Sequence, residues 1–254
     1  MKLWALAGPT LTFDRSGIEP GTTGLVTIPC PSFLVAHDRG LVLFDTGPDP
    51  RAAVDAEAEY GSALVEGLGL RFAPEQSIDR QLAVIGAQPA DIDLIVLSHL
   101  HFDHCGAVYL FENARIIVGS RGIQEGLNPG PSHGFGYRQL DIERIPRSRL
   151  IEVTGDYDLY DDGGLVLLPT PGHTSADLSL QVVLESGTVV LAGDAAHSQA
   201  QLEGLFTLPS DTRPSSTVQS LTRLQKLRDE ERARIWVSHD PDDWARYAYD
   251  QEAV

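Results

Sequence analysis

Apolar and polar positions fall along the chain in short runs, most of them with the length and flanks of strands. Lys2–Ala7 and Leu25–Ile28 read as strands separated by a Gly/Thr-rich turn region. Phe33-Leu34-Val35-Ala36 and Leu41-Val42-Leu43-Phe44 flank His37-Asp38-Arg39-Gly40, which predicts a hairpin. The pattern weakens over residues 48–72, an Ala/Glu/Gly-rich stretch that fits a loop with a short helix or a lid over a site. Ser77 as N-cap, Ile78, Leu82 and Ile85 at helical spacing, and Gly86 as a stop predict a helix. Leu94–Leu97, Ile116–Val118, Leu150–Val153, Leu165–Leu168, Leu178–Leu184, Thr188–Ala192 and Ile235–Val237 predict strands. Helices are predicted over Arg121–Leu127, Thr217–Arg228 and Asp240–Tyr249. In the second of these, Val218, Leu221, Leu224 and Leu227 repeat at core-facing spacing. Asn128–Gly136 reads as a loop and Tyr157–Gly164 as an acidic turn region. There is no internal repeat and no long linker, so residues 1–254 are expected to form one α/β domain.

Four of these runs end in side chains that bind metals. Leu94–Leu97 leads into Ser98-His99-Leu100-His101-Phe102-Asp103-His104. Leu165–Leu168 leads through Pro171-Gly172 to His173, Val189–Ala192 to Asp194, and Ile235–Val237 to His239. Strand ends are where layered α/β folds gather their chemistry, so these groups are expected to converge at one rim. Imidazole and carboxylate together are the ligand set for zinc and similar ions. Seven ligands exceed what one catalytic zinc takes; three for each of two ions plus one bridging carboxylate accounts for them all. Two neighbouring divalent ions can hold a bridging hydroxide near neutral pH and polarise a carbonyl. Asp103 and His104 are badly placed to reach the same ion as His99 and His101, and are expected to serve the second.

Composition narrows the function further. The apolar fraction is 42%, which marks a globular chain. The net charge is −17, which argues against a nucleic-acid partner, since a phosphate backbone needs clustered Lys and Arg. Two cysteines, Cys30 and Cys105, make no disulfide framework and read as small buried thiols. No run reaches membrane-spanning length, and the apolar N-terminus is broken by Gly8-Pro9 without a cleavage site. A cytoplasmic protein with no membrane partner is expected.

With these residues in view, the chain resembles the metallo-β-lactamase superfamily. The resemblance rests on His99-x-His101-x-Asp103-His104, Leu41–Asp45-Thr46-Gly47, Thr170-Pro171-Gly172-His173, Asp194 and Ser238-His239, nearly end to end. Within that superfamily it is most similar to the N-acyl-homoserine lactonases, the quorum-quenching enzymes, through Ser98–Gly106, Phe111-Glu112-Asn113-Ala114 and Ile116-Ile117-Val118. The resemblance implies an αβ/βα four-layer sandwich of the metallo-β-lactamase type, with two Zn2+ at one edge (Mn, Co or Fe being other divalent ions open to the site). His99, His101 and His173 would bind the first ion, Asp103, His104 and His239 the second, and Asp194 would bridge them. Asp45 would orient a ligand histidine, or alternatively cap local N–H groups.

The implied reaction is hydrolysis of a lactone by the bridging hydroxide, with Asp103 as the catalytic acid. The lactonases carry Tyr three residues after the bridging Asp, where this chain has His197; an imidazole titrating near neutrality could replace that donor, against the alternative of a partly exposed surface histidine. Asp177 stands where many relatives have another Gly-His pair and is given no role. His37 and His133 read as solvated turn and loop residues. Phe33, Phe102 and Phe135 are expected to flank the apolar part of a small-molecule lactone or ester substrate. A glyoxalase II-like thioesterase is the nearest alternative, and a homodimer is left open. A diiron oxidoreductase is disfavoured by His101, where flavodiiron relatives place Glu.

Overall fold

The computed structural model describes residues 1–130 and 134–249; His133 lies outside them. The first half contains β1 (Lys2–Leu6), β2 (Thr10–Asp14), β3 (Leu25–Pro29), β4 (Ser32–His37), β5 (Gly40–Phe44), α1 (Ala56–Tyr60), α2 (Ser62–Leu68), α3 (Ile78–Val84), β6 (Ile92–Val96), α4 (Phe102–Cys105), β7 (Arg115–Gly119) and α5 (Gly122–Leu127). The second half contains α6 (Gln139–Glu143), β8 (Leu150–Val153), β9 (Tyr157–Asp158), β10 (Leu165–Pro169), β11 (Leu178–Leu184), β12 (Gly187–Leu191), α7 (Gln199–Gly204), α8 (Pro214–Glu231), β13 (Arg234–Trp236) and α9 (Pro241–Tyr249).

Two sheets carry the architecture. One has the order β1-β4-β5-β6-β7-β8 and the other β13-β12-β11-β10-β9. In the first, β4–β5 is the antiparallel hairpin, and β5 through β8 run parallel. In the second, β12 and β13 pair in parallel and the rest antiparallel.

Side chains alternate across each strand, and the alternation builds the layers. Phe33, Val35, Val42, Phe44, Leu94 and Val96 from the first sheet meet Leu165, Leu167, Leu180, Val189 and Trp236 from the second in one buried core. The opposite face of the first sheet, with Leu34, Leu43, Ile95 and Ile116, packs on Ile78 and Leu82 of α3 and Ile142 of α6. The opposite face of the second, with Leu168 and Val190, packs on Leu202 of α7 and Leu221 and Leu224 of α8. The order is helix, sheet, sheet, helix: the αβ/βα sandwich.

Several local expectations are corrected. Lys2–Leu6 and Leu25–Pro29 are strands as expected, but the stretch between them is not all turn. β1 joins β4, and β3 pairs with β2, which lies inside the stretch read as a turn region. Residues 48–72 contain two short helices, α1 and α2. Ser77 stands at the N-cap of α3, but its hydroxyl donates back to the carbonyl of Pro74 and not into the helix. Val218 is 37% exposed; the inner face of α8 is Thr217, Ser220, Leu221 and Leu224. The first turn of that helix docks on backbone, with Ser220 Oγ donating to Pro171 O at 2.8 Å, so small polar residues take the inward positions there.

Candidate active site

The expected ligands reach the rim from four strand ends. β6 delivers His99 and His101 and then, through α4, Asp103 and His104, while β10, β12 and β13 deliver His173, Asp194 and His239. Asp103 and His104 lie on a four-residue helix inside the motif, with the His104 ring 4.1 Å from that of His99.

All seven side chains come together around Asp194. Its Oδ2 lies 3.8 Å from His99 Nε2 and 3.5 Å from His173 Nε2. Its Oδ1 lies 3.4 Å from His104 Nε2 and 3.1 Å from His239 Nε2. His101 Nδ1 is 3.0 Å from His173 Nε2, and Asp103 Oδ2 is 3.7 Å from His104 Nε2. Ligand atoms of His99, His101 and His173 form one set within 4.8 Å of one another, and those of Asp103, His104 and His239 form another.

The donor set fits divalent cations. Nε2 of His99, Nε2 of His104 and Oδ1 of Asp194 are buried with no hydrogen-bond partner, a costly arrangement for polar atoms unless they serve an ion. Burial disfavours a charge on His104 and His239, yet neighbouring carboxylates, Asp194 foremost, overcome it and push them up to about 10 and about 9. Burial likewise opposes ionisation of Asp194, but the surrounding histidines, His239 and His104 first, hold its carboxyl well below the usual range. The site is thus a buried pocket whose field attracts positive charge.

The outer nitrogens are held from behind. His104 Nδ1 is 2.8 Å from Asp45 Oδ2, His99 Nδ1 is 3.1 Å from Ser98 Oγ, and His239 Nδ1 donates to Pro29 O at 2.7 Å. Such partners fix the tautomer that leaves Nε2 free to ligate. Asp45 also accepts the backbone N–H of Ser98 at 2.7 Å, so the two roles weighed for it coexist. Tight approaches require glycine at two places. A Cβ on Gly172 would sit 2.6 Å from Thr217 Cα, and one on Gly193, at φ +55°, 2.8 Å from Ser98 Cβ.

His197 is 6% exposed, which overturns the surface alternative. Its Nε2 lies 3.3 Å from Asp194 Oδ2, and its Nδ1 is buried without a partner. Burial pushes it down to about 3, so it does not titrate near neutrality.

The ligand cluster opens into a cavity of about 460 Å³. Leu11, Phe13, Ile18, Ile28 and Leu68 make it apolar, with Phe102 and Phe135 beside the ligands. Phe33 is absent from this wall. It is buried between the sheets against Phe44, Trp236 and Tyr247. The strand β2, which lies in the stretch read as a turn, supplies Leu11, Phe13 and Asp14 of the lining, and helix α2 supplies Leu68.

Other singled-out residues have structural surroundings. Cys30 and Cys105 are buried, and burial pushes both thiols up; Cys30 Sγ lies 3.9 Å from Asp103 Oδ2. His37 is not a solvated turn residue: it stacks on Tyr160 with centroids 4.3 Å apart, and its Nε2 is 3.2 Å from Asp162. Asp177 accepts Thr174 N–H at 2.7 Å and the Thr174 hydroxyl, closing the loop that carries His173. Tyr137, unmarked by any sequence pattern, packs edge-on against His101 with centroids 4.5 Å apart.

Residues 26–239 match the family model of the metallo-beta-lactamase superfamily. The N-acyl homoserine lactonase AttM of Rhizobium radiobacter is 33% identical over 97% of this chain and 96% of its own. The N-acyl homoserine lactonase AiiA of Bacillus thuringiensis subsp. kurstaki is 30% identical over 94% of this chain and 93% of its own. A solved N-acyl homoserine lactone hydrolase, with the product N-hexanoyl-L-homoserine at its catalytic metal centre, superposes with a TM-score of 0.84 at 29% identity, covering 96% of this chain and 95% of that one. Sandwich, ligand-bearing strand ends and sequence agree: this chain belongs to the metallo-β-lactamase superfamily, among relatives that are N-acyl homoserine lactonases.

Proposed function

We propose that the chain is a single-domain, dinuclear metal-dependent hydrolase that opens the ester ring of N-acyl homoserine lactones. The observation that carries the dinuclear reading is Asp194, whose Oδ1 faces His104 and His239 and whose Oδ2 faces a different set, His99, His173 and His197. We assign His99, His101 and His173 to one ion, Asp103, His104 and His239 to the other, and Asp194 to both. Five imidazoles favour zinc over harder ions such as magnesium. The two ions, when bound, supply an acidified water and Lewis-acid stabilisation of the carbonyl and leaving oxygens.

The chain's own groups position and protonate. Asp103 is a ligand carboxylate that also lines the cavity, placed to take the proton of the attacking water and return it to the leaving alkoxide. His197 also lines the cavity, and with its neutral form favoured it keeps one N–H to offer the substrate carbonyl oxygen. The apolar wall from Leu11 to Phe135 suits an acyl chain. The lactonase relatives support that substrate class. Among the described residues no helix is long and apolar enough to cross a membrane.

A panel of N-acyl homoserine lactones, an alkyl lactone without the amide, and a lactoyl thioester tests the reading. Turnover should be highest on the N-acyl homoserine lactones. Turnover of the thioester with none on any lactone would contradict it and favour glyoxalase II-like chemistry.

A further inference from the structure

Asp211 takes no part in the ligand set. It stands in the segment between α7 and α8 and closes its own turn: Oδ2 accepts Leu208 N–H at 2.8 Å, and its backbone N–H donates to Leu208 O at 3.0 Å. The other oxygen, Oδ1, is buried with no hydrogen-bond partner. It lies 3.8 Å from Nδ1 of His173, which is also buried and also unpartnered. A carboxylate oxygen can only accept, and an imidazole Nδ1 can carry a proton, so the two orphaned atoms are complementary.

His173 is the exception among its neighbours. His99, His104 and His239 turn Nε2 toward Asp194 and have an outer partner on Nδ1, respectively Ser98, Asp45 and the Pro29 carbonyl. His101 presents Nδ1 inward. Among the Nε2-inward histidines assigned as ligands, His173 is the one whose outer partner stands beyond hydrogen-bond distance. The segment is already bonded to the His173 loop through Thr212 N–H to His173 O at 3.1 Å and Arg213 N–H to Gly172 O at 2.9 Å. Its Pro209, Ser210 and Thr212 form one side of the substrate cavity.

We propose that Asp211 is a positioning residue: its free oxygen accepts a hydrogen bond from Nδ1–H of His173, turns Nε2 toward the shared centre, and ties the cavity wall at 209–212 to the ligand set. The inference rests on the metal-centre reading above. It requires Nε2 of His173 to be a ligand atom, and it adds a group that composition and spacing do not mark.

Chelator-competition titration with zinc alone tests it on wild type, Asp211→Asn and Asp211→Ala, together with the imidazole N–H region of the proton NMR spectrum of the zinc-loaded proteins. Wild type should bind two equivalents and show a slowly exchanging His173 Nδ1–H resonance. Asp211→Ala should keep one equivalent at wild-type affinity, hold the other about 10- to 100-fold more weakly, and lose that resonance. Asp211→Asn, which preserves the side-chain shape should the alanine variant not fold, should weaken the same equivalent and shift the resonance. Variants that bind both equivalents as wild type does, whatever their thermal stability, would show that Asp211 only closes a turn and overturn the inference. Wild-type protein that takes up no zinc would overturn the underlying metal reading, and this inference with it.

Discussion

Oδ2 of Asp45 lies 2.8 Å from Nδ1 of His104, and Oδ1 of the same carboxylate accepts the backbone N–H of Ser98 at 2.7 Å. One side chain at the end of β5 therefore holds both the His104 ring, a proposed ligand, and the strand end from which the His99–His104 loop departs. Asp45→Ala should lower metal affinity or activity about 10- to 100-fold, as loss of a ligand's outer partner does elsewhere. Metal retention after dialysis, set beside kcat/KM, checks this; wild-type retention would show that His104 orients itself.

Phe135 is 56% exposed and lines the cavity, so its ring contributes little to the fold and much to the wall. Phe135→Ala should leave Tm unchanged. It should cost about 1.5 kcal/mol, roughly tenfold in kcat/KM, on long-chain substrates and little on short ones. A chain-length series for both proteins checks the slope, and an equal loss at every length would remove Phe135 from the acyl site.

Gly172 lies against the first turn of α8, where an added Cβ would come 2.6 Å from Thr217 Cα and 2.8 Å from Thr217 N. Backbone cannot yield as a flexible side chain can. Gly172→Ala should lower stability by about 1–3 kcal/mol and displace His173, loosening one metal equivalent more than the other. Zinc titration and a urea melt on one preparation check both effects.

Asp141 on α6 is fully buried, and neither of its oxygens has a hydrogen-bond partner. Arg138 and Arg144 approach no closer than 3.6 and 3.7 Å, their guanidinium groups being bonded to Glu59 and Asp49. Burial pushes the carboxyl up from 3.8 to about 6. Between those two values the folded state holds a proton the unfolded chain has released, so stability falls as pH rises through this window and the penalty is complete above it. Asp141→Asn should therefore be more stable than wild type by about 2 kcal/mol at pH 8, with the advantage narrowing as pH falls toward 4. Urea midpoints at pH 5 and pH 8 check the sign; an advantage that grows on acidification would refute it.

The strands that lead to the site were legible because they are largely buried on both faces and read as apolar runs that stop at a histidine or aspartate segment, as Leu94–Leu97 does at Ser98-His99. The clustering of the ligands was legible for the same reason, since parallel and paired strands bring their ends to one rim. What periodicity could not show was anything shorter than a turn or two, or anything set by backbone contacts. The helix α4 has four residues, too few to show a period. β2 alternates Thr10, Thr12 and Asp14 outward with Leu11 inward over one short ribbon, so its signal resembled a turn. In α8 the inner face follows docking on Pro171 and Gly172, which favoured Thr217 and Ser220 over Val218. Asp211 is a lone acid between Ser210 and Thr212, with nothing local to separate it from a surface residue. Helix spacing gives a face, but only the neighbouring loop says which face, so the exposure of Val218 was beyond reach of periodicity.

Metal-free protein, prepared with a chelator and titrated with zinc while the opening of an N-acyl homoserine lactone is followed, tests the central claim most directly. The account predicts no ring opening without metal and full activity only as the second equivalent per chain is added. Full activity at one equivalent, or undiminished activity in the metal-free protein, would contradict it.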